Sequence, residues 1–134
     1  MNPAKIWANL GVENIERTVA FYTTLGFTLN GKYQTDMLAS FSFGGSNFII
    51  NFFVKDKLAE AMHGAVANLT TANEIIFSLS AESKDEVDSY TKAAADAGGT
   101  IIKQPFTNGD GFYYSVFADP DGHKYNILEM KEGM

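Results

Sequence analysis

The sequence predicts an α+β fold made of two β-α-β-β-β modules. The chain has 134 residues, which is the size of one domain. Strand-like and helix-like runs follow the same order in both halves, and the glycines that end the two predicted helices, Gly26 and Gly98, lie about 72 residues apart. We therefore expect a single domain over 1–134, with module 1 at about 1–54, a linker at about 55–72 and module 2 at about 73–134.

The first module begins with a strand-like run at 5–12. Asn14 is a suitable N-cap for the helix that follows, and Gly26 supplies its C-terminal stop. The apolar residues of this helix recur at helical spacing: Ile15, Val19, Tyr22 and Leu25. Three further strands are predicted near 27–32, 37–43 and 47–54, with turns around Gly31 and at Gly44-Gly45-Ser46.

The second module repeats this order after a connecting segment. Residues 55–72 have weak helical character, but Gly64 and the run at 70–73 interrupt it, so we expect a linker. A strand at 74–81 leads into a helix that Ser83 and Glu86 open as a capping box. Gly98-Gly99 ends that helix, strands follow near 100–104, 112–118 and 124–130, and the last two meet in a turn at Asp119-Pro120-Asp121-Gly122.

Composition excludes several classes of partner. Sixteen acidic and ten basic residues give a net charge of −6 without a Lys/Arg cluster, so a nucleic-acid backbone would be repelled. The longest apolar run, at 48–54, is far shorter than the roughly 20 residues that span a bilayer. The N-terminal residues lack the apolar segment of a signal peptide and the chain has no cysteine, so we expect a cytoplasmic protein without membrane or nucleic-acid partners.

Three strings of the sequence carry a family resemblance. VENIERTVAFYTTLGF at 12–27, AAADAGGTIIKQPF at 93–106 and FADPDGHKYNILEM at 117–130 resemble the vicinal oxygen chelate superfamily of glyoxalases, bleomycin- and fosfomycin-resistance proteins and extradiol dioxygenases. The resemblance implies that the sheets of the two modules curl into cups facing a shared cleft that holds a small molecule. It also implies a homodimer.

In metal-dependent members of this superfamily, the cleft holds a divalent cation through four side chains, usually His, Gln or Glu, from the first and last strands of both modules. The matching positions here are Trp7, Asn51, Glu74 and Asn126. Only Glu74 is a usual ligand of zinc, nickel or iron. Shifting each position by one residue does not restore a ligand set, and neither His63, in the linker, nor His123, beside a turn, supplies one. We therefore expect no catalytic metal and no other cofactor.

The same positions suggest a ligand-binding pocket. Asn9, Asn51 and Asn126, together with Glu74, are candidates to hydrogen-bond a polar ligand, because buried amides are costly unless they are paired. Glu74 is also the one candidate catalytic acid or base, whose burial would raise its pKa. The candidate aromatic walls are Trp7, Phe53 and Tyr113. In contrast, we expect Phe21 and Tyr22 to pack their helix onto its sheet, and His123 to be solvated or to cap the turn.

Three functions remain open at this point. The first is a metal-free binding protein of the resistance or sequestration type, for which an acidic chain favours a neutral or cationic guest. The second is an enzyme, either a lyase or isomerase resembling glyoxalase I or an oxygenase resembling the extradiol type, both of which need a cation. A metal-free proton transfer by Glu74 belongs to the same class. The third is a non-catalytic subunit whose repeat serves only dimerisation.

Overall fold

The computed structural model describes all residues from 1 to 134, and it confirms the predicted α+β class. The chain divides into two compact units, Met1–Ala67 and Asn68–Met134, each with one four-stranded sheet. The elements of the first unit are β1 (Ala8–Val12), α1 (Ile15–Thr24), β2 (Thr28–Leu29), a 3₁₀ turn (Gly31–Tyr33), β3 (Leu38–Phe43), β4 (Phe48–Val54) and α2 (Lys55–Met62). Those of the second are β5 (Ile76–Ala81), α3 (Lys84–Asp96), β6 (Thr100–Thr107), β7 (Tyr113–Ala118) and β8 (Lys124–Glu129).

The first sheet has the order β1-β4-β3-β2, with β1 parallel to β4 and the other neighbours antiparallel. One face packs against α1 and is almost entirely aromatic and aliphatic. Tyr22 of α1 stacks on Phe52 with ring centroids 4.6 Å apart and also contacts Phe41 and Phe43. Both Phe21 and Tyr22 are buried, so their predicted packing role is confirmed.

The second sheet repeats this arrangement with the order β5-β8-β7-β6. Its helix-facing side carries Phe117 stacked on Tyr125 at 5.4 Å, and Ala94 of α3 is buried in the same unit. A buried polar contact joins the two layers, because the hydroxyls of Thr91 on α3 and Ser115 on β7 lie 2.6 Å apart. A pair of hydroxyls that satisfy one another removes the penalty of burying either alone.

Local signals in the sequence explain where the helices begin and end. Asn14 Oδ1 accepts from the backbone N–H of Arg17, and Ser83 Oγ accepts from that of Glu86, so both predicted N-caps are present. The Glu86 carboxylate accepts from the backbone N–H of Glu82, one residue before the position that a standard capping box uses. Gly26 and Gly98 follow α1 and α3 with φ of 93° and 107°, a conformation that glycine adopts without strain.

The structure differs from the sequence prediction mainly in the expected linker. Lys55–Met62 forms helix α2, whose Leu58 is buried within the first unit. A Cβ on Gly11 would come within 3.1 Å of both Leu58 and Val66, so glycine allows this segment to lie close against β1. Strands β1 and β5 also begin later than predicted, at Ala8 and Ile76, which leaves Trp7 and Glu74 just outside them.

Candidate functional site

The face of the first sheet opposite α1 carries a row of polar side chains, and we call it the cup face. Cross-strand register places Asn9 opposite Asn51 and Asn51 opposite Ser40, so the three side chains point to the same side. Asn51 Nδ2 donates to Asn9 Oδ1 at 3.3 Å, and Asn30 Nδ2 donates to Ser40 Oγ at 3.1 Å. The row therefore crosses the sheet from β1 to the residue after β2, and it consists only of amides and a hydroxyl.

Large apolar side chains flank this polar row and remain accessible. Trp7, two residues before Asn9 and just before β1, is 53% exposed, and its neighbour Ile6 is 82% exposed. Together with Tyr33, Leu38 and Ile49, they line an open cavity of about 800 Å³ that includes Asn30, Ser40 and Asn51. Exposed rings beside a concave polar surface are typical of a small-molecule site.

Helix α2 closes one end of the cup face. Gly11 lies two residues beyond Asn9 on the same side of β1, and Leu58 packs over it. Phe53 is opposite Gly11 and Leu38 and lies on the same side of β4 as Asn51. The predicted orientation of Phe53 toward the cup is therefore found, at its closed end, whereas the cavity opens toward Trp7.

The second sheet has an equivalent face with different chemistry. Asn126 lies opposite Ser78 and Val116 in the register, which matches the position of Asn51 in the first sheet. Its Oδ1 atom is buried and has no hydrogen-bond partner. Buried polar atoms are normally paired, so this acceptor lowers stability unless a donor reaches it.

Tyr113 lies on the other side of its sheet from Asn126. It is two residues from Ser115 on β7, and both side chains face α3. The Tyr113 hydroxyl donates to Asp88 Oδ1 of α3 at 2.6 Å, and this hydrogen bond to a carboxylate raises the pKa of the tyrosine. The expectation that Tyr113 forms a wall of the cup is wrong, because strand alternation places its neighbour Tyr114 on that side.

Glu74 and His123 also differ from their expected environments. Glu74 precedes β5 and is exposed, so it is not a buried acid or base. His123, in contrast, is only 6% exposed, and its Nδ1 lies 2.7 Å from Asp119 Oδ2. Asp119 Oδ1 accepts from the backbone N–H groups of Asp121 and His123, so the pair holds the turn together. Of the two roles expected for His123, solvation is wrong, whereas its hydrogen bonds within the turn match the capping role.

Trp7, Asn51, Glu74 and Asn126 occupy the four positions that match the metal ligands of metal-dependent members of the resembled superfamily. Their side chains do not fit a catalytic transition metal. Indole has no lone pair to donate, amide oxygens are weak ligands for zinc, nickel or iron, and only one carboxylate is present. The amide of Asn51 already pairs with Asn9. No three His, Cys, Asp or Glu side chains of the chain come together in a group that could hold a metal ion.

A family model described as the Glyoxalase/Bleomycin resistance protein/Dioxygenase superfamily matches residues 6–127. The chain belongs to this superfamily. The match includes all strands except the last two residues of β8, together with the N-caps of α1 and α3, so the resemblance seen in the sequence is confirmed. No curated protein sequence matches the chain.

Solved structures place the same fold in several bacteria. A hypothetical protein from S. aureus is 26% identical, with a TM-score of 0.85 over 97% of this chain and 96% of that one. A glyoxalase-related enzyme from Fulvimarina pelagi is 18% identical, with a TM-score of 0.83 over 96% and 89%. A lactoylglutathione lyase from Agrobacterium tumefaciens is 18% identical, with a TM-score of 0.71 over the full length of both chains. At 18% identity, the last two show a shared fold alone.

No helix of this superfamily member is long and apolar enough to cross a membrane.

Proposed function

We propose that this superfamily member binds a small molecule on the cup face of its first sheet without a bound metal ion. The observation that carries the proposal is the row of hydrogen-bonded amides beside exposed rings. Water-exposed apolar surface is unfavourable, by roughly 25 cal/mol for each Å² that a ligand would bury. A ligand that covers Trp7 and Ile6 gains this free energy, and the amides of Asn9 and Asn51 orient its polar end.

The side chains at the four positions that match the superfamily's metal ligands support binding without a metal ion. A lyase or dioxygenase of this superfamily needs a cation to stabilise an enediolate or to bind oxygen. Trp7, Asn51 and Asn126 are poor ligands for such a cation, and Glu74 is exposed. A proton-transfer role for Glu74 has no support from burial or from a neighbouring group.

The predicted homodimer and cytoplasmic location belong to the proposal as expectations, and sedimentation analysis tests the first of them.

A thermal-shift screen in the presence of EDTA tests the proposal. We expect at least one class of small organic molecules to raise Tm by about 10 °C at a hundredfold excess over its Kd, because binding at that excess contributes roughly 2.7 kcal/mol. In Asn51→Ala the shift should be much smaller, because the ligand loses a partner in the polar row. The matched control is Gln34→Ala, which removes an exposed amide of the same unit that does not line the cavity.

Two results would contradict the proposal. One is a broad screen of metabolites and antibiotics in which no compound changes Tm. The other is a set of ligands that bind only after zinc, nickel, iron(II) or manganese is added, since that would make the cation part of the site.

A further inference from the structure

The lining of the cup-face cavity has a different charge balance from the whole chain. The chain carries a net charge of −6, which favours a cationic guest. Lys5, however, is the only formally charged residue that lines the cavity, and no carboxylate does. Exposed charges farther away than about 8 Å are largely screened at physiological ionic strength. Among the lining residues, the only charge that a bound ligand meets is therefore positive.

The polar row has N–H donors that its internal hydrogen bonds do not use. Asn51 donates one N–H to Asn9, which leaves both N–H groups of Asn9 and one of Asn51 available. The hydroxyl of Ser40 accepts from Asn30, so its own proton can be donated outward. With the ammonium of Lys5 at the same cavity, the site offers N–H donors beside a positive charge, which suits a ligand with negatively charged acceptor atoms.

The exposed aromatic rings beside the cavity do not change the preference for an anionic ligand. Exposed rings such as Trp7 and Tyr33 can attract a cation over their faces. Yet Lys32 Nζ already lies 5.5 Å from the centroid of the Tyr33 ring, and it adds a second ammonium beside the cavity. A cationic guest would meet Lys5 in the lining, Lys32 beside it, and no carboxylate in the lining.

We propose that the ligand is an organic anion, a carboxylate attached to an aromatic or other apolar body. The carboxylate pairs with Lys5 and accepts from the amides of Asn9 and Asn51, and the apolar body covers Trp7 and Ile6. This inference rests on the proposed function, because it names the ligand class for the same site.

Trp7 provides a direct readout, because it is the only tryptophan of the chain and it lines the cavity. Three probes with the same ring and different charge are phenylacetate, phenylacetamide and 2-phenylethylamine. Titrations followed by tryptophan emission, excited at 295 nm at neutral pH and low salt, give a Kd for each probe. We expect phenylacetate to bind about tenfold more tightly than the amine, with the neutral amide between them.

Lys5→Gln tests the assigned ion pair. We expect a roughly three- to tenfold weaker binding of phenylacetate and little change for phenylacetamide, because only the former has a charge to pair. The control Lys57→Gln removes an ammonium from α2, where it pairs with Glu60, and should change neither Kd.

The outcomes separate the two proposals. If no probe changes the emission of Trp7, both the site and its ligand class are wrong. If the amine binds as tightly as the acid, or if Lys5→Gln leaves the affinity for phenylacetate unchanged, the cup face still binds small molecules but the anion assignment is wrong.

Discussion

The two units share a topology and differ most on the faces that their helices do not cover. In the first sheet, Asn9 and Asn51 pair with each other and exposed rings lie beside them. In the second sheet, the corresponding row contains Ser78, Asn126 and Val116, and the Asn126 acceptor is buried without a partner. The helix-facing sides, in contrast, are both closely packed aromatic layers. The helix-facing side of each sheet therefore forms a similar apolar core in both units. The opposite faces of the two sheets carry different polar side chains.

The largest predicted effects concern the face that the units have in common. Phe52→Ala in the first unit and Phe117→Ala in the second each remove a fully buried, stacked ring. Both should lower the free energy of unfolding by roughly 3–5 kcal/mol, because truncation leaves a cavity as well as losing apolar burial. Urea denaturation measures the change. A loss below about 1 kcal/mol in either variant would mean that its layer is not a packed core.

Much of the fold follows from local signals in the sequence. The capping residues Asn14 and Ser83 and the glycines after each helix fix the helix boundaries, and strand alternation fixes which side of β4 faces the core. Helix α2 was harder to predict, because its eight residues have a weak apolar pattern. Its position depends on the close approach to Gly11, which is a tertiary contact.

A second comparison concerns the glycines against which other segments of each unit pack. Gly122→Ala should cost about 2 kcal/mol, because its φ is +99° and a Cβ would lie 3.1 Å from Leu69 Cβ. Gly11→Ala should cost about 1 kcal/mol, since only close contacts with Leu58 and Val66 resist it. Thermal unfolding measures both variants. The control Gly45→Ala has open space around the added methyl and should change stability by less than about 0.5 kcal/mol. The reverse order for Gly122 and Gly11 would contradict the described packing.

The equivalent asparagines should respond in opposite directions. Asn126→Leu removes a buried acceptor without a partner, so stability should rise by up to about 1 kcal/mol. Asn51→Leu breaks the pair with Asn9 and should lower stability by about 1 kcal/mol. Chemical denaturation of both variants provides the comparison. A destabilised Asn126→Leu would show that this amide is satisfied in solution.

The smallest effect distinguishes two tyrosines of the second unit. The Tyr90 hydroxyl is buried without a partner, and burial raises its pKa. Tyr90→Phe should raise stability by roughly 0.5–1 kcal/mol, whereas Tyr113→Phe should lower it slightly by losing the hydrogen bond to Asp88.

Since the folded pKa of Tyr90 lies above the unfolded value of 10.0, wild type should lose stability as the pH rises above about 10. Tyr90→Phe should lose less over the same interval, and equal slopes would contradict the burial of this hydroxyl.

The candidate site was less predictable than the fold. The family resemblance identified the positions of Trp7 and Asn51, and Asn9 and Phe53 were expected in the same cup. The structure places Asn9, Asn51 and Phe53 on one side of the first sheet and Trp7 at the cavity. The prediction for Tyr113 failed because Ser115, a polar residue two positions along the same strand, occupies the buried side and pairs with Thr91. For His123, the sequence indicated the role at the turn but not the burial, which depends on the carboxylate of Asp119. In both cases a polar group is buried because a specific partner satisfies it, and hydrophobic patterning does not reveal such partners.

The most direct test of a metal-free ligand site on the first sheet is a two-dimensional ¹⁵N NMR titration in EDTA. The ligand is one identified by the thermal-shift screen or phenylacetate. We predict that the side-chain amides of Asn9 and Asn51 and the indole N–H of Trp7 shift together along one binding curve. Shifts that are confined to the second unit, or that require a divalent cation, would contradict the account.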